Sequence, residues 1–344
     1  MNISIDDIRD KNLDGDITYV FDKEDLDFLL NTGLHCVHYS EIKRTDINLT
    51  KYDIKCKKKT TRDDPHLYDL PPIKEYRYVV VIPNFNNNHG EYKGKSYLAN
   101  CIESILGQTY KKFEIVFVDD LSDDGSAELV ESYNDKRIHV IRNMRKRYNG
   151  GSRNVGIEYA LKELNFDYFC FLDSDDWWKH ENVLKTINDE IQGKDLALIG
   201  CECLGSDGVF ETHINQYDNY EDFFMSLNKV YCTAWSRIIK KDKIAFFCED
   251  TLMEDRVWSY KQADNVELEN VVNIDEVLYV WNRLNTVNSV SIKRDDFWNA
   301  SAWCHIGHLQ QFITKLKHTE FKQILEERLR ECINKANNKE YSQY

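Results

Sequence analysis

The feature that most limits how this chain can fold is an alternation that begins at Tyr78. Tyr78 to Ile82 (YVVVI) and Glu114 to Val118 (EIVFV) are unbroken apolar runs, the pattern of strands buried on both faces of a parallel sheet. Between them, Ser96 to Leu106 carries apolar residues at helical spacing. The alternation continues with a helix over Ser126 to Tyr133, a strand over Ile138 to Ile141, a helix over Ser152 to Leu164 and a strand over Tyr168 to Leu172. Strands and helices at this interval predict an α/β fold on a Rossmann-like, mostly parallel sheet flanked by helices. In such sheets ligands bind beyond the carboxyl ends of the strands. The chemistry is therefore expected just after Ile82, Val118, Ile141 and Leu172.

Polar residues gather at those four places. Pro83-Asn84-Phe85-Asn86 follows the first strand, and Asp119-Asp120-Leu121-Ser122-Asp123-Asp124-Gly125-Ser126 follows the second. Arg142-Asn143 and a loop ending Asn149-Gly150-Gly151-Ser152-Arg153-Asn154 follow the third, and Asp173-Ser174-Asp175-Asp176 the fourth. Any one alone reads as a polar turn capping a helix, and for Asp123-Asp124-Gly125-Ser126 capping is the expectation, because Asp and Ser are good N-caps. All four at one sheet edge point to a binding site. Asp173 and Asp175 end an apolar strand, so two mutually repelling carboxylates are held beside low-dielectric core, an arrangement that calls for a cation. Their oxygen donors suit Mg2+ or Mn2+. With a glycine-bearing loop and two arginines upstream, the pair points to a nucleoside diphosphate. No GxGxxG follows the first strand and there is no P-loop motif, which leaves dinucleotide oxidoreductases and P-loop kinases without support.

Charge narrows the partners. Forty-five basic against fifty-nine acidic side chains give a formal net charge of -14, which excludes a general electrostatic grip on nucleic acid or anionic lipid. An anionic ligand has to be held locally, by a metal or a few placed cations. No apolar stretch approaches the roughly 20 residues of a membrane span. The acidic start MNISIDDIRDKNLDGD lacks the layout of a secretion signal, so a cytoplasmic protein is expected. The ten cysteines include no CxxC pair and read as reduced, mostly buried thiols.

The ordered motifs resemble those of the family 2 glycosyltransferases of GT-A fold. The matching elements are VVVIPNFN from Val79, SILGQTYKKFEIVFVDDLSDDGS from Ser104, GGSRNVGIEYA from Gly150, FLDSDD from Phe171, the Glu254-Asp255 pair in LMEDRVWSYK, and LYVWNRLNTVNSVS from Leu278. The resemblance implies an inverting hexosyltransferase that carries a sugar from a nucleotide-sugar donor to a hydroxyl of a glycan or other acceptor. Carried over by position, Pro83, Asn84 and Phe85 hold the nucleotide base with one of Asp119 or Asp120. Asp120 is preferred because a carboxylate accepts the imide N–H of uracil, which favours a UDP-sugar. Asn143 and Arg153 match donor-site residues in the loop after the third strand. Asp173 faces ribose or metal-bound water, Ser174 lies beside it, and Asp175 is the main ligand of Mn2+ or Mg2+. Asp176 orients the sugar or caps the next helix. Asp255 matches the general base and Glu254 a neighbour that supports it or binds acceptor. Arg283 lies in a segment resembling a loop that closes over the donor, where it adds a cation to the diphosphate. The implied reaction is a single in-line displacement with inversion, without a covalent enzyme intermediate.

Two rival classes remain in view. A non-catalytic carbohydrate-binding or scaffold protein is disfavoured by the intact Asp175 and Asp255. A sugar-nucleotide nucleotidyltransferase would carry a glycine-rich basic loop after its first strand, where this chain has PNFNNN.

The flanking regions divide the chain. Lys51 to Pro72, with its lysine run and paired prolines, reads as a linker. Before it, Ile17 to Phe21, Asp22 to Leu30 and His35 to Tyr39 read as a small strand-helix-strand module, in which His35, Cys36 and His38 fit strand packing better than a zinc site. From Asp296 to Asn337 the chain reads as helices with an apolar stripe of Phe297, Trp298, Trp303, Ile306, Leu309, Phe312, Ile313 and Leu316. That stripe suits docking on the catalytic domain, with a homodimer or membrane contact as alternatives. The expected division is 1–72 for an N-terminal extension and linker, 73–292 for the catalytic domain and 293–344 for a C-terminal helical region. Trp177, Trp178, Trp235 and Trp258 offer aromatic faces for sugar rings, or pack in the core. Cys201 to Tyr231 matches the family least and is expected to shape the acceptor site.

Overall fold

The computed structural model describes residues 17–22, 38–44, 51–57, 73–144, 148–213, 223, 233–251, 253–284 and 295–340. The chain divides into two compact units, Met1–Ile73 and Lys74–Tyr344. In the first, β1 (Ile17–Asp22), β2 (His38–Arg44) and β3 (Lys51–Lys57) form an antiparallel sheet in the order β1-β3-β2. The segment expected to open a linker is therefore the central strand of this sheet. Tyr52, Ile54 and Cys56 alternate with Lys51, Asp53, Lys55 and Lys57 in the sequence, a period of two that the lysine run conceals. The helix expected up to Leu30, and the His35 and Cys36 positions, lie outside the described residues.

The second unit is built on a nine-stranded sheet. β4 (Tyr78–Asn84), β5 (Phe113–Asp119), β6 (Ile138–Arg142) and β7 (Tyr168–Phe171) are parallel, in the order β6-β5-β4-β7. β8 (Trp177–Trp178) closes the far edge, next to β12 (Val271–Asn282). β11 (Arg237–Lys240) runs antiparallel between β7 and β9 (Leu196–Gly205), and β9 pairs parallel with β12. β10 (Gly208–His213) folds back onto β9. The chain leaves β4 towards β5 and returns to β7 on β4's other side. This is the reversal of strand order at which open α/β sheets bind ligands.

The apolar runs work because both sheet faces are covered. Val79, Val81, Val116 and Val118 pack on one side with Ile157 and Ala160 of α3 (Asn149–Glu163). Val80, Ile82, Ile115 and Phe117 pack on the other with Leu98, Ile102 and Ile105 of α1 (Tyr97–Leu106). Ser96 caps α1 by accepting the Ala99 N–H at 3.2 Å. At the expected cap of α2 (Ser126–Ser132), Gly125 occupies the cap position in the left-handed region. Asp124 accepts the Ser126 N–H at 3.0 Å from one residue earlier. The other packing helices are α4 (Val183–Ile191) and α5 (Glu254–Ala263).

α3 starts three residues before the expected Ser152, so the glycine pair lies within its first turn instead of in a loop. A Cβ on Gly150 would stand 2.2 Å from the Cys248 carbonyl oxygen and 3.0 Å from Glu254 Cβ. The glycine therefore serves the close approach of two chain segments. Further along the helix Gly156 lies against β4, where a Cβ would meet Val81 Cγ1 at 2.5 Å.

After β12 come α6 (Asp295–Ile313) and α7 (Lys322–Asn337). Ile306, Leu309, Phe312, Ile313 and Leu316 join the same core as Val257, Tyr260 and Ala263 of α5, so this stripe docks inside the second unit. Trp303, expected in the stripe, is exposed, and the side chains of Phe297 and Trp298 lie outside the described residues. Among the described residues no helix is long and apolar enough to cross a membrane. Six of the seven described cysteines are buried and all seven are free thiols.

Gly156→Ala is expected to lower stability in urea unfolding. Overpacking against Val81 costs about 1–3 kcal/mol, more than the roughly 1 kcal/mol gained in helix propensity. A variant as stable as the parent would mean that α3 can move away from the sheet.

Candidate active site

The carboxyl ends of β4, β5 and β6 build one corner of the site. The Asp120 N–H donates to the Asn84 carbonyl, and the Asn143 N–H to the Asp119 carbonyl, each at 2.8 Å, so the sheet ladder continues into the polar residues. Asp119 is buried, and its carboxylate is engaged by Arg142 Nη1, by the Ser122 N–H at 3.2 Å and by Asn84 Nδ2 at 3.3 Å. The Asp120 carboxylate accepts from Asn143 Nδ2 at 3.1 Å, and Asn143 also donates to Ser152 Oγ at 2.9 Å. Pro83 is buried, whereas the Phe85 ring is 46% exposed at the rim. Asn84 Oδ1 is a buried acceptor without a hydrogen bond among the described residues.

The three aspartates after β7 have three different surroundings. Asp176 is buried, with Oδ1 accepting the Asn282 N–H at 2.7 Å and Oδ2 the Tyr279 hydroxyl, both from β12. Burial, then Asp175 and Asp173, pushes its carboxyl well above the usual range against those two donors. Each of its two oxygens thus accepts a hydrogen bond from β12, and neither caps the helix that follows. Ser174 is buried and accepts from Asn87 Nδ2 at 2.7 Å. Asp175 is half-buried, its carbonyl held by Asn282 Nδ2 at 2.9 Å, and its charge reaches Tyr97, Cys101 and Asp176. Asp173 points one oxygen at Arg153.

Arg153 links this edge to the other candidate carboxylates. From the first turns of α3, Nη2 donates to Asp173 Oδ1 and Nη1 to Glu254 Oε1, each at 2.6 Å. Its guanidinium is buried, 5.3 Å from the centre of the Phe247 ring. Burial disfavours the charged form, but Asp173 and Glu254 outweigh it and raise Arg153 above its ordinary value. Glu254 and Asp255 open α5. Burial, then the Asp255 charge, pushes Glu254 up to about 8, against the pull of Arg153. Asp255 is half-buried and also raised by burial, while Arg153, Arg256 and Arg237 pull it down. Its backbone carbonyl accepts from Ser259 Oγ at 2.6 Å, and no described residue donates to its carboxylate.

Arg237 was not anticipated from the sequence. It is buried on β11, donates to Ser259 Oγ at 2.8 Å and lies 5.2 Å from the centre of the Trp258 ring. Its signal is an arginine inside the apolar run Trp235-Ser236-Arg237-Ile238-Ile239. Tyr279 and Asn282, which hold Asp176 and Asp175, were likewise hidden in an apolar strand. Arg283 follows Asn282, stacks 4.5 Å from the centre of the Trp281 ring, and leaves Nη1 buried without a hydrogen bond among the described residues. Most of the segment expected to close over the donor, residues 285–291, lies outside the described residues, as do 214–222 and 224–231 of the expected acceptor region.

The four tryptophans are packing residues. Trp258 is fully buried against Phe247, Trp235 stacks on Tyr279 with centroids 4.3 Å apart, Trp177 stacks on Tyr92 at 4.8 Å, and Trp178 joins the core. Two histidines of α6 are held within the second unit. His305 is buried, and His308 meets Asp250.

A reversed, mostly parallel sheet with aspartates at the end of its fourth parallel strand defines the GT-A class of fold. Residues 79–247 match the family described as Glycosyl transferase family 2, and this part of the chain is a family 2 glycosyltransferase domain. Among curated proteins, the chain is 37% identical over 122 residues to the glycosyltransferase GlyG of Streptococcus pneumoniae, covering 35% of this chain and 36% of that one. It is 39% identical over 97 residues to the Escherichia coli enzyme UDP-Glc:alpha-D-GlcNAc-diphosphoundecaprenol beta-1,3-glucosyltransferase WfaP, covering 28% of this chain and 37% of that one. The chain thus matches little more than a third of the length of either relative. The fold is shared with S. aureus TarS 1-349 in complex with UDP, at TM-score 0.52 and 20% identity over 75% of this chain and 71% of that one.

Arg153→Met is expected to cost about 3–5 kcal/mol, because it leaves Asp173 and Glu254 without their shared cation. Urea unfolding measures this, and a loss below about 1 kcal/mol would show that the two carboxylates do not depend on it.

Proposed function

We propose that the protein is an inverting, divalent-metal-dependent glycosyltransferase that moves a sugar from a UDP-sugar to a hydroxyl of a glycan or other acceptor, with residues 73–292 as its catalytic domain. The observation that carries this reading is the Arg153 bridge. One guanidinium holds Asp173, beside the candidate metal ligand, and Glu254, beside the candidate base, so donor and acceptor chemistry meet in one place.

The residues fit a hard cation. Asp175 and Asp173 offer only oxygen donors, and the electrostatic reach of Asp175 and Asp173 into Asp176 and Cys101 marks an excess of negative charge at this edge. Asp175, with Asp173, would hold Mg2+ or Mn2+, which supplies positive charge to the diphosphate leaving group. Asp120, positioned by Asn143, accepts the imide N–H of uracil, and Asp119 is the less suitable partner because Arg142, Ser122 and Asn84 already engage it. Pro83, Asn84 and Phe85 line the base, and Arg283 adds a cation. A UDP donor is favoured by the name of the E. coli relative WfaP, which specifies UDP-Glc. Free, buried thiols fit a cytoplasmic setting.

Asp255 takes the proton of the acceptor hydroxyl as that oxygen attacks the anomeric carbon. The bond from that carbon to the diphosphate oxygen breaks on the opposite face, which inverts the configuration. Glu254 is buried with a carboxylate oxygen engaged by Arg153, whereas the half-buried Asp255 carboxylate is the one a hydroxyl can reach, so Asp255, and not Glu254, is the base. Glu254 is a positioning residue.

The test compares Asp255→Asn with Asp175→Ala, using UDP-induced thermal shifts with and without Mn2+ and transfer from UDP-sugars. Asp255→Asn is expected to keep Mn2+-dependent UDP binding and to lose transfer by about 10²- to 10⁴-fold. Asp175→Ala is expected to lose the Mn2+-dependent shift itself. Transfer by Asp255→Asn at the parent rate would remove Asp255 as the base. A parent protein that shifts with no nucleotide would favour a non-catalytic scaffold.

A further inference from the structure

A second cluster of ligand-type side chains lies on the β9–β10 hairpin. Successive strand residues point to opposite faces, so Cys201 and Cys203 share one face of β9, and Glu211 and His213 share one face of β10. Register puts the two pairs together, with Glu211 opposite Cys203 and His213 opposite Cys201. This pairing depends on a bulge. Gly208 pairs with Gly205 and Val209 with Leu204, and then Phe210 is skipped. In an unbroken register Phe210 would face Cys203 and Thr212 would face Cys201, leaving Glu211 and His213 opposite Glu202 and Gly200. The extra residue places Glu211 and His213 on the cysteine face instead.

The side chains converge. Cys203 Sγ, a Glu211 carboxylate oxygen and a His213 ring nitrogen all lie within 4.8 Å of one another, and His213 Nε2 is 3.2 Å from Glu211 Oε1. Cys201, two residues along the same face of β9 and opposite His213, places a second sulfur beside the group.

We propose that this hairpin face is a metal site of the Zn2+ type, with Cys203, His213 and Glu211 as ligands and Cys201 as the fourth. Mixed sulfur, nitrogen and oxygen donors in a four-membered set suit Zn2+, whereas the oxygen-only pair Asp173 and Asp175 suits Mg2+ or Mn2+. At Zn–ligand distances of about 2.0–2.3 Å, tetrahedral ligand atoms stand some 3.3–3.8 Å apart, so closing Cys203, Glu211 and His213 takes side-chain shifts of about 1 Å, and Cys201 has to turn in from outside that group. Two thiolates and a carboxylate around a dication leave one negative charge. Arg283 lies close enough to act electrostatically on Cys203 and supplies the balancing charge.

The surroundings give such a staple something to hold. β10 occupies the flank of β9 that β11 leaves after Leu198. Its outer residues bury little, with Phe210 62% exposed, so apolar packing contributes little to keeping it in place. The other flank of β9 pairs with β12, where Trp281 lies opposite Cys203 and the Arg283 N–H donates to the Leu204 carbonyl at 2.9 Å. A metal here pins the hairpin next to the strand end that carries Arg283.

The experiment uses the full-length protein, stripped of metal and titrated with Co2+. Thiolate-to-cobalt charge transfer gives a near-ultraviolet band that oxygen ligands do not produce. The expected result is a band that saturates at one equivalent, is displaced by Zn2+, persists in Asp175→Ala, and disappears in Cys203→Ser and His213→Gln. No thiolate band in the parent protein overturns the proposal. So does a band that survives in His213→Gln, a half-buried position whose folding is checked by circular dichroism and which decides the matter if Cys203→Ser does not fold. Loss of the band in an Asp175→Ala protein that keeps its circular dichroism would also overturn it, because thiolate ligation would then depend on the aspartate edge and not on the hairpin alone. None of these readings depends on sugar transfer.

Discussion

A guanidinium withdrawn from water is tolerated only while its charge and its donors are met, and carboxylates beside it only while it stays. Asp173 and Glu254 meet the charge of Arg153 and both of its terminal nitrogens, leaving only Nε without an acceptor among the described residues. Arg153 can reach them because the first turn of α3 lies nearly in contact with the chain before α5. Gly150, three residues earlier and on the same side of the helix, has no room for a Cβ between Cys248 and Glu254. Asn154 continues the contact, donating to the Phe247 carbonyl at 3.1 Å and accepting the Phe247 N–H at 2.8 Å. Glycine, arginine and asparagine thus fasten residues 247–254 to the sheet edge, across a long separation in sequence. The apposition of metal-type and base-type carboxylates follows from this fastening.

The run Asp173-Ser174-Asp175-Asp176 shows how one stretch of like charges is sorted. Three carboxylates at the end of a strand repel one another, and burial of any of them worsens the repulsion. Asp173 is neutralised by Arg153. Asp176 is tied to the Tyr279 hydroxyl and the Asn282 amide, where its raised pKa reflects burial among like charges. Asp175 is half-buried, and Asn282 holds its backbone carbonyl instead of its carboxylate.

The parallel strands were legible because burial on both faces leaves an unmistakable run of apolar residues, as in Tyr78–Asn84. The site at their carboxyl ends was legible for the same reason, since polar residues directly after such a run mark where the sheet edge meets solvent or ligand. What stayed hidden depends on partners far away in sequence. Asp119 and Asp120 are indistinguishable neighbours until Arg142 arrives beside one and Asn143 beside the other. Trp258 looks like a sugar platform until Phe247 covers its face, and Lys51–Lys57 looks like a linker because its charges mask a two-residue period. Arg237 and Tyr279 are polar groups inside apolar strands, and only the fold shows that they face Ser259 and Asp176.

The helix that carries Asp255 owes its position to neighbours at both ends. Met253, at the N-cap of α5, offers no side-chain cap, and Glu254 and Asp255 place acidic groups in the first turn, where the helix dipole favours negative charge. Burial opposes that charge and raises both groups. The carboxylates therefore rest between a field that ionises them and a medium that protonates them. His305 of α6 donates to the Met253 carbonyl, and burial drives its own pKa down to about 3, so the contact carries no competing charge. At the other end, the Asp264 carboxylate accepts the Lys317 N–H at 3.0 Å and the His318 N–H at 2.9 Å. The segment between α6 and α7 thus holds the far end of the helix that carries Glu254 and Asp255. The C-terminal helices hold α5 against the sheet in this way, through His305 at one end of it and the Lys317 and His318 amides at the other.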